Sequence, residues 1–288
     1  MRAVLFAAIG LSCAAMIGGE LESAASGSRP QDHGSGEAPA NRCVWPQGAY
    51  PSEAQVQRAA AFASGRESVA FAVIDRCGGL RGYDDRRPFS SASISKALLL
   101  AAYLRQRAEA PIPAADRALL RSMITLSDND AGDAIYARVG DTGLAAVAQR
   151  AGMRDFEPTP GFWGGAQVTA ADMARFFFGL EGNLPQRHRR YGMRLLASIV
   201  GPQRWGIPAA AGEGWRVWFK GGWRPSNEHP TSGPVTHQAA LLRHSSGERV
   251  AIAVLTDDAP GSLAFGTIEG IAIRLLRPAP RSLTWAPG

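Results

Sequence analysis

Two lysines stand apart from the other basic residues of this chain because each lies in a short motif that could do chemistry. Of the 31 lysines and arginines, only Lys96 and Lys220 are lysines. An arginine guanidinium stays protonated, whereas a desolvated lysine amine can lose its proton and act as a base. Lys96 follows Ser93 by three residues, so on a helix the two side chains share a face. A serine hydroxyl needs a neighbouring base to become a nucleophile, and this spacing predicts Ser93 as the nucleophile and Lys96 as its base.

Two further motifs follow this pair along the chain. Ser127-Asp128-Asn129 lies between the two lysines, and Lys220 opens Lys220-Gly221-Gly222. A serine followed three residues later by a lysine is a common chance pattern, and Ser127 with Asp128 would alone be an ordinary helix N-cap. Three motifs in this order, with both lysines used by them, indicate one catalytic site.

The set resembles the motifs of the penicillin-recognising serine hydrolases, most closely their class A β-lactamase-like branch. Phe89 and Ala92 precede Ser93 as in the F-x-x-A-S-x-x-K pattern of that family, and the resemblance covers roughly residues 48 to 280. It implies an α/β (α+β) fold, in which terminal helices flank an antiparallel sheet. An all-helical lobe completes the fold, and the active site lies in the cleft between the lobes.

The hydrophobic patterns agree with that architecture. Strands are predicted near both ends of the chain and helices between them, so we expect a sheet lobe from 48–88 and 210–288 and a helical lobe from 89–209. The predicted strands are 68–75, 80–83, 215–220, 235–244 and 250–257. The predicted helices are 54–63, 94–107, 115–124, 130–139, 144–151, 170–180, 189–200 and 262–276.

The resemblance also implies roles for the other motif residues. Ser127 would pass a proton to the leaving nitrogen, Asn129 would hydrogen-bond the substrate amide, and Lys220 would bind the substrate carboxylate. The Trp223 N–H would complete an oxyanion hole begun by the N–H of the nucleophile itself. Gly222 would let the substrate backbone lie against its strand as an added strand.

The chain departs from the family pattern in two places. Gly221 stands where the family usually has threonine or serine, so one hydroxyl contact to a substrate carboxylate is missing. Class A β-lactamases carry E-x-x-L-N in the loop whose glutamate activates the deacylating water, and no such motif occurs in 151–169. Glu157 is the candidate for that base, with a solvated loop residue as the alternative. Trp163, farther along the loop, is predicted to wall the cleft or to pack in the core.

The beginning of the chain predicts export. Residues 1–25 resemble a signal peptide, with an apolar run over 3–19. Residues 26–47, rich in Gly, Ser, Pro and Ala, predict a flexible linker before the hydrolase domain at 48–288. The apolar run is short for a bilayer span, which takes ~20 residues, and a lipid anchor at Cys13 is the alternative to cleavage. We expect the mature protein outside the cytoplasm, either secreted or as a lipoprotein.

The cysteines, the histidines and the charge of the chain indicate which disulfide, metals and partners to expect. Cys43 and Cys77 form an even pair that predicts one disulfide in an oxidising compartment, with two unrelated buried thiols as the alternative. The five histidines are scattered, so we expect no metal and no cofactor. The formal charge is +6, and the densest basic run, 187–190, lacks the aromatic residues that single-stranded nucleic acid prefers. We therefore expect a solvated helix end there, no nucleic-acid partner, and a monomer.

Three functions stay open on the sequence alone. The first is an exported serine hydrolase that is acylated at Ser93 by a β-lactam or a related amide and then freed by hydrolysis. The second is a D,D-peptidase-like enzyme acting on cell-wall peptides, which the missing E-x-x-L-N motif favours. The third is a penicillin-binding sensor trapped as a covalent adduct, or a scaffold without catalysis. The intact motif residues argue against the inert version.

Overall fold

Strands from the two ends of the described chain meet in one sheet. A computed structural model describes residues 49–225, 234–257 and 261–278. Its strands are β1 (Val69–Ile74), β2 (Leu80–Tyr83), β3 (Phe89–Ser90), β4 (Gln167–Val168), β5 (Trp215–Arg224), β6 (Val235–His244) and β7 (Arg249–Asp257). Five of them pair in the order β2-β1-β7-β6-β5, and each neighbouring pair is antiparallel. The strands β3 and β4 form a separate two-stranded ladder.

The helices divide between the faces of this sheet and a second layer. They are α1 (Glu53–Ser64), α2 (Lys96–Gln106), α3 (Ala114–Thr125), α4 (Asn129–Arg150), α5 (Ala170–Phe178), α6 (Leu180–Asn183), α7 (Arg189–Ala197), α8 (Ile207–Ala210) and α9 (Gly261–Leu276). The terminal helices α1 and α9 pack on each other and on the sheet, whereas α2, α3, α4 and α7 pack mainly among themselves. The predicted architecture of a flanked antiparallel sheet with a helical lobe is confirmed.

Local sequence signals explain how α1 is fixed to the end of the domain. The Ser52 N–H donates to Gln55 Oε1 at 2.9 Å and the Gln55 N–H donates to Ser52 Oγ at 3.3 Å, which is a capping box. Gln55 Nε2 also donates to the Leu275 carbonyl at 3.0 Å, and the Tyr50 hydroxyl donates to the Leu276 carbonyl at 2.6 Å. One capping residue therefore starts the first helix and ties it to the last.

One helix of the segment predicted as the helical lobe belongs to the sheet instead. Every residue of β1 is buried, so both faces of the sheet are covered, because neighbouring strand residues point to opposite faces. The helix α5 packs against β1, β6 and β7. Its Phe176 and Phe177 are fully buried, and this apolar bulk accounts for the position of α5 on the sheet.

Two helix boundaries differ from those predicted. The helix predicted over 94–107 begins as a 3-10 turn, Ala92–Ser95, before α2. The helices predicted over 130–139 and 144–151 are continuous in α4, apart from Gly140, whose φ of 61° and ψ of −176° are not helical. Glycine takes such a left-handed φ without steric cost, so it can kink the chain between two helical segments.

The strand predicted to end at Lys220 continues to Arg224. Glycine is unfavourable in strands, which is why the pattern placed the boundary before Gly221-Gly222. Both glycines nevertheless pair with β6, and Gly222 lies opposite His237. Pairing with a neighbouring strand has overridden the local propensity, and it carries the motif into the cleft.

The predictions for the first part of the chain fall outside the described residues. They are the signal peptide, the linker, the lipid anchor at Cys13 and the Cys43 end of the disulfide, and all stay predictions. Cys77 lies in the turn after β1, where its N–H donates to Asp75 Oδ1 at 2.9 Å. None of the helices in the described ranges is long and apolar enough to span a bilayer.

Candidate active site

The predicted nucleophile lies in the tight turn that leads into α2. Ser93 is 9% exposed, and the preceding Ala92 has a φ of +44°. A left-handed alanine is strained, which indicates that the surrounding contacts hold this turn. The Ser95 hydroxyl donates to the Ala92 carbonyl at 2.8 Å, and the Ser91 N–H donates to the Ala166 carbonyl at 2.8 Å. The nucleophile is thus held by its own turn and by the loop before β4.

The amine of Lys96 lies in contact with the nucleophile. Lys96 Nζ is 3.1 Å from Ser93 Oγ, 2.5 Å from the Ser127 carbonyl oxygen and 2.7 Å from Asn129 Oδ1. Carbonyl oxygens only accept hydrogen bonds, so the last two contacts each take an N–H of the amine. In neutral Lys96 the remaining tetrahedral position is the lone pair, and it faces Ser93 Oγ. This is the arrangement that a general base needs.

Burial tunes Lys96 for that task. The side chain has no exposed surface, and desolvation lowers its pKa to about 8, against a smaller opposing effect of Asp128 and Asp133. A buried ammonium ion loses hydration, which favours the neutral amine. At pH 7, one unit below this pKa, about a tenth of Lys96 is therefore neutral.

Lys220 and Ser127 meet on the other side of this group. Lys220 Nζ donates to Ser127 Oγ at 2.9 Å and to the Gly221 carbonyl at 2.7 Å. Ser127 has a φ of +61°, and its carbonyl contacts Lys96 while its hydroxyl contacts Lys220. One residue in a left-handed conformation thereby links the two lysines.

Lys220 is completely buried, and this bears on its predicted role. Burial lowers its pKa well below the usual value, and the nearby charge of Lys96 lowers it further. Neither lysine takes part in the ion pairs found within the described ranges. The contact that the structure gives Lys220 orients Ser127, and its direct binding of a substrate carboxylate stays a prediction.

Asp128 anchors the S-D-N motif, as an N-cap should. Its Oδ1 accepts the Ala131 N–H at 3.1 Å, and its other oxygen accepts the hydroxyl of Ser122. These hydrogen bonds, that of Ser122 first, lower the pKa of the carboxyl group. The structural interpretation of Asp128 and the catalytic one of its neighbours are both compatible with this geometry, because the cap sets the direction of Ser127 and Asn129.

Gly222 brings β5 against the nucleophile turn. A Cβ atom at this position would lie 2.6 Å from the Ile94 nitrogen and 3.0 Å from the Ser93 nitrogen. No side chain fits there, so glycine is required for the close approach of strand and turn. The next residue, Trp223, is 40% exposed and lines the cleft. The two backbone segments predicted to form the oxyanion hole are therefore neighbours.

Gly221 faces away from that turn. A Cβ atom there would be 3.5 Å from the Trp205 ring and 3.8 Å from Gln238, which are ordinary contacts. Space at the Cβ position therefore does not require glycine here.

Trp163 covers Lys96, and the sequence only suggested that it walls a cleft or packs in the core. Its ring lies 4.8 Å from Lys96 Nζ, and its Nε1 donates to Asp133 Oδ1 at 2.6 Å. A Cβ atom on Gly132 would be 3.1 Å from Lys96 Cε and 3.3 Å from the Trp163 ring, so this glycine makes room for both. Asp133 and Gly132 were missed, although Gly132 three residues after Asn129 in a helix was a usable signal.

Glu157 is not among the residues that contact Ser93 or Lys96 in the described chain. It is exposed, and its backbone forms a bridge with Gln167, with N···O distances of 3.1 and 2.7 Å. The aromatic face of Trp163, rather than a carboxylate, lies over Lys96. The role of Glu157 as deacylating base stays a prediction without support from this geometry.

The open side of the site is a small cleft of about 160 Å³. Arg224 lines it, a residue that the sequence did not single out, and the Arg224 Nη1 donates to Ser90 Oγ at 3.0 Å. The Ser90 carbonyl accepts from His237 Nε2 at 2.9 Å, while His237 Nδ1 accepts the Thr256 N–H. Burial lowers the pKa of His237 to about 4, so this ring is neutral and serves as a fixed support. Ser93, Asn129, Trp163 and Trp223 also line the cleft.

The arrangement offers a nucleophile, two amines and a hydroxyl, which suit acyl transfer. Within the described ranges, no group of three or more His, Cys, Asp or Glu side chains is placed to hold a metal ion.

Proteins of similar sequence or fold support the resemblance seen in the motifs. The sequence model of the Beta-lactamase enzyme family matches residues 114–276, more than half of the chain. A solved β-lactamase from Sphaerobacter thermophilus is 22% identical with a TM-score of 0.64, over 78% of this chain and 97% of that one. PBP-A is 18% identical with a TM-score of 0.63, over 77% of this chain and 94% of that one. An ancestral class A β-lactamase is 19% identical with a TM-score of 0.61, over 77% and 98%.

No curated protein matches the chain at a significant level. The solved structures show a shared fold at low identity. The family match includes the S-D-N motif and Lys220, whereas Ser93 and Lys96 precede it. By the extent of that match, and in agreement with the resemblance seen in its motifs, the chain belongs to the β-lactamase enzyme family.

Proposed function

We propose that this β-lactamase-like protein is an active serine hydrolase that is acylated at Ser93 by a β-lactam or a related amide. The observation that carries the proposal is the contact of Lys96 Nζ with Ser93 Oγ at 3.1 Å, made by a buried amine whose pKa is about 8. Two carbonyl acceptors direct the lone pair of this amine at the hydroxyl.

The acylation step uses the groups in order. Neutral Lys96 takes the hydroxyl proton while Ser93 Oγ forms a bond to the substrate carbonyl carbon. The negative oxygen is held by the N–H groups of Ser93 and Trp223, and the carbon–nitrogen bond then breaks. Ser127 gives its hydroxyl proton to the leaving nitrogen and takes up the proton that Lys96 received from Ser93, while Lys220 holds the Ser127 hydroxyl in position. In sum, the serine proton is transferred to the leaving nitrogen.

A second candidate differs in what happens to the acyl-enzyme. The Trp163 ring occupies the space over Lys96, and no carboxylate of the described residues hydrogen-bonds to Lys96 or Ser93. This favours slow deacylation, as in a D,D-peptidase-like enzyme or a covalently trapped sensor. A linear cell-wall peptide would then be the substrate, and a penicillin would form a long-lived adduct.

We also propose that the protein acts outside the cytoplasm. Support comes from the apolar run near the start of the chain, from the even number of cysteines that follow it and from the family itself, whose substrates include cell-wall peptides and β-lactams. Residues 1–25 would be removed, or Cys13 would carry a lipid anchor.

The deciding experiment is time-resolved intact mass spectrometry of the purified protein mixed with benzylpenicillin. Ring opening loses no atoms, so acylation adds the full mass of the antibiotic. We expect this adduct in the unchanged protein and none in Ser93→Ala, whose fold is checked by its melting temperature. Decay of the adduct within seconds to minutes supports a hydrolase, and persistence with release of D-alanine from cell-wall peptides supports the second candidate. If no adduct forms at any time, acylation at Ser93 by β-lactams is ruled out.

A further inference from the structure

A groove of about 700 Å³ lies on the surface formed by α7 and the adjoining ends of β5 and β6, apart from the cleft at Ser93. Five arginines line it, and Glu181 is the single acidic residue among its described lining residues. We call it the basic groove. Its arginines are Arg189, Arg190, Arg194, Arg216 and Arg243.

Like charges in the basic groove are placed where they repel. Arg216 and Arg243 lie directly opposite each other in the β5–β6 ladder, a destabilising arrangement for two cations. Arg190 and Arg194 stand four residues apart on α7, which is also unfavourable for like charges. Several destabilising contacts between like charges on one concave surface are expected where a site binds a ligand of opposite charge.

The first turn of α7 places further positive charge where it is unfavourable. Arg189 and Arg190 occupy its first turn, where the helix dipole is positive and acidic residues are preferred. Arg189 Nε is buried and has no hydrogen-bond partner within the described structure. A buried donor without an acceptor is expensive, which adds to the local cost at this end of the helix.

A buried tryptophan holds two of the arginines in place. The guanidinium groups of Arg216 and Arg243 lie 5.0 Å and 5.9 Å from the Trp218 ring, which is 6% exposed. Contacts of this kind fix the planes of the two cations at the floor of the groove. Because the ring is covered, it cannot stack on a nucleobase, so the ligand is recognised by its charge. Among the ion pairs of the described residues, Glu181 pairs with Arg243, and none of these pairs includes the other four arginines.

The geometry points to a ligand with two or more phosphate groups, and we propose that the basic groove binds such a molecule. A carboxylate has two oxygens and satisfies a single guanidinium fork. A phosphate group offers three peripheral oxygens, so facing arginines such as Arg216 and Arg243 can share it. The volume of the groove is within the range of small-ligand sites. The phosphates come either from a soluble oligophosphate or from a phosphorylated lipid headgroup.

The test uses inorganic tripolyphosphate with the purified full-length protein, at physiological ionic strength so that weak surface binding is screened. Titration calorimetry is expected to give saturable binding at one site. The double variant Arg216→Gln/Arg243→Gln is expected to weaken it at least tenfold. Arg138→Gln, which removes a charge from α4 outside the groove, is the matched control and should leave the affinity unchanged.

Melting temperatures keep the result interpretable if the double variant is unstable. Tripolyphosphate should raise the melting temperature of the unchanged protein and of Arg138→Gln, and it should raise that of Arg216→Gln clearly less. Binding that appears only with vesicles containing a phosphatidylinositol bisphosphate, and that is lost in the groove variants, would assign the phosphates to a lipid. Equal loss of binding in Arg138→Gln and the groove variants, or no saturable binding to either probe, would overturn the proposal.

Discussion

At the scale of single residues, the site depends on lysines that are buried rather than exposed to solvent. Lys96 and Lys220 have no exposed surface, and each donates to carbonyl oxygens that cannot return a proton. Arginine, which the chain uses for almost every other positive charge, could not serve at Lys96 because it does not deprotonate in proteins. The motif spacing therefore identified the residues, and their burial supplies the pKa that the chemistry requires.

The pH dependence of acylation follows from Lys96. The reactive form is the neutral amine, so the acylation rate should rise about tenfold per pH unit below the pKa of about 8 and level off above it. Lys96→Arg should lower the rate by about 10²–10⁴-fold and remove this rise. Stopped-flow acylation by a chromogenic cephalosporin between pH 5.5 and 9.5, approximate limits set around that pKa, is the measurement. A rate that is flat across pH 8 in the unchanged protein would exclude Lys96 as the base.

Trp163 provides a prediction about the lifetime of the acyl-enzyme. Trp163→Glu would bring a carboxylate near Lys96, where it could activate water, so we expect the adduct to decay at least about tenfold faster. The added negative charge should also raise the pKa of Lys96 and shift the acylation profile to higher pH. Trp163→Phe is the matched control, since it also loses the hydrogen bond to Asp133 but gains no carboxylate. Equal adduct lifetimes in the two variants, measured by intact mass, would contradict this account.

At the scale of elements, the site is made where a strand, a turn and a helix end come together. The strand β5 carries Lys220 and Gly222 past the nucleophile turn, and the N-cap of α4 places Ser127 and Asn129 on the far side. The sequence predicted the helix and the strand but ended the strand at Lys220. Glycine propensity is a local quantity, whereas the extension of β5 depends on pairing with β6, which is remote in sequence.

Substitutions at two adjacent glycines of β5 test whether the close approach of this strand to the nucleophile turn matters for acylation. Gly222→Ala would place a Cβ atom 2.6 Å from the Ile94 nitrogen, so the strand and the turn must move apart. A displacement of about 1 Å can cost on the order of 10²-fold in rate, and we expect a loss of acylation of that size with the fold retained. In Gly221→Ala the nearest contact is 3.5 Å, and we expect the rate to stay within a few-fold of the unchanged protein. Similar acylation rates for both variants would show that the close approach of β5 has no catalytic importance.

At the scale of the whole molecule, distant segments of the chain are tied together around the sheet. Hydrogen bonds from Tyr50 and Gln55 join the first helix to the end of α9, and the predicted disulfide would join the segment before α1 to the turn after β1. An export route and this disulfide would support each other, because disulfides persist in oxidising compartments.

The cysteines allow that prediction to be measured. In protein purified from the exported fraction, Cys43 and Cys77 should take up no alkylating reagent in denaturant, and two equivalents after reduction. Removing the bond through Cys77→Ser should lower the free energy of unfolding by about 2–4 kcal/mol. Intact mass before and after reduction gives the count, and it also shows whether the mature chain begins near residue 26. Two labels without reductant would mean that the thiols are unpaired.

Local patterns in the sequence were enough to predict a serine-hydrolase chemistry and the general architecture. Ser93 and Lys96 were predicted from residue types and spacing, whereas the roles of Ser127 and Lys220 were implied by the family resemblance of their motifs. The helices and strands followed from periodicity, which is also local. These local properties do not depend on how the segments pack in the folded protein.

The other residues of the site are known from the folded structure and not from the sequence. Trp163 lies over Lys96, Gly132 makes room for both, and Arg224 enters the cleft, yet none has a local signal that specifies a partner. The basic groove likewise combines residues of α7 with residues of two strands. From the sequence alone, the basic run at the start of α7 was predicted to be only a solvated helix end. Contacts between remote segments depend on packing of the whole core, and periodicity within one segment carries no information about them.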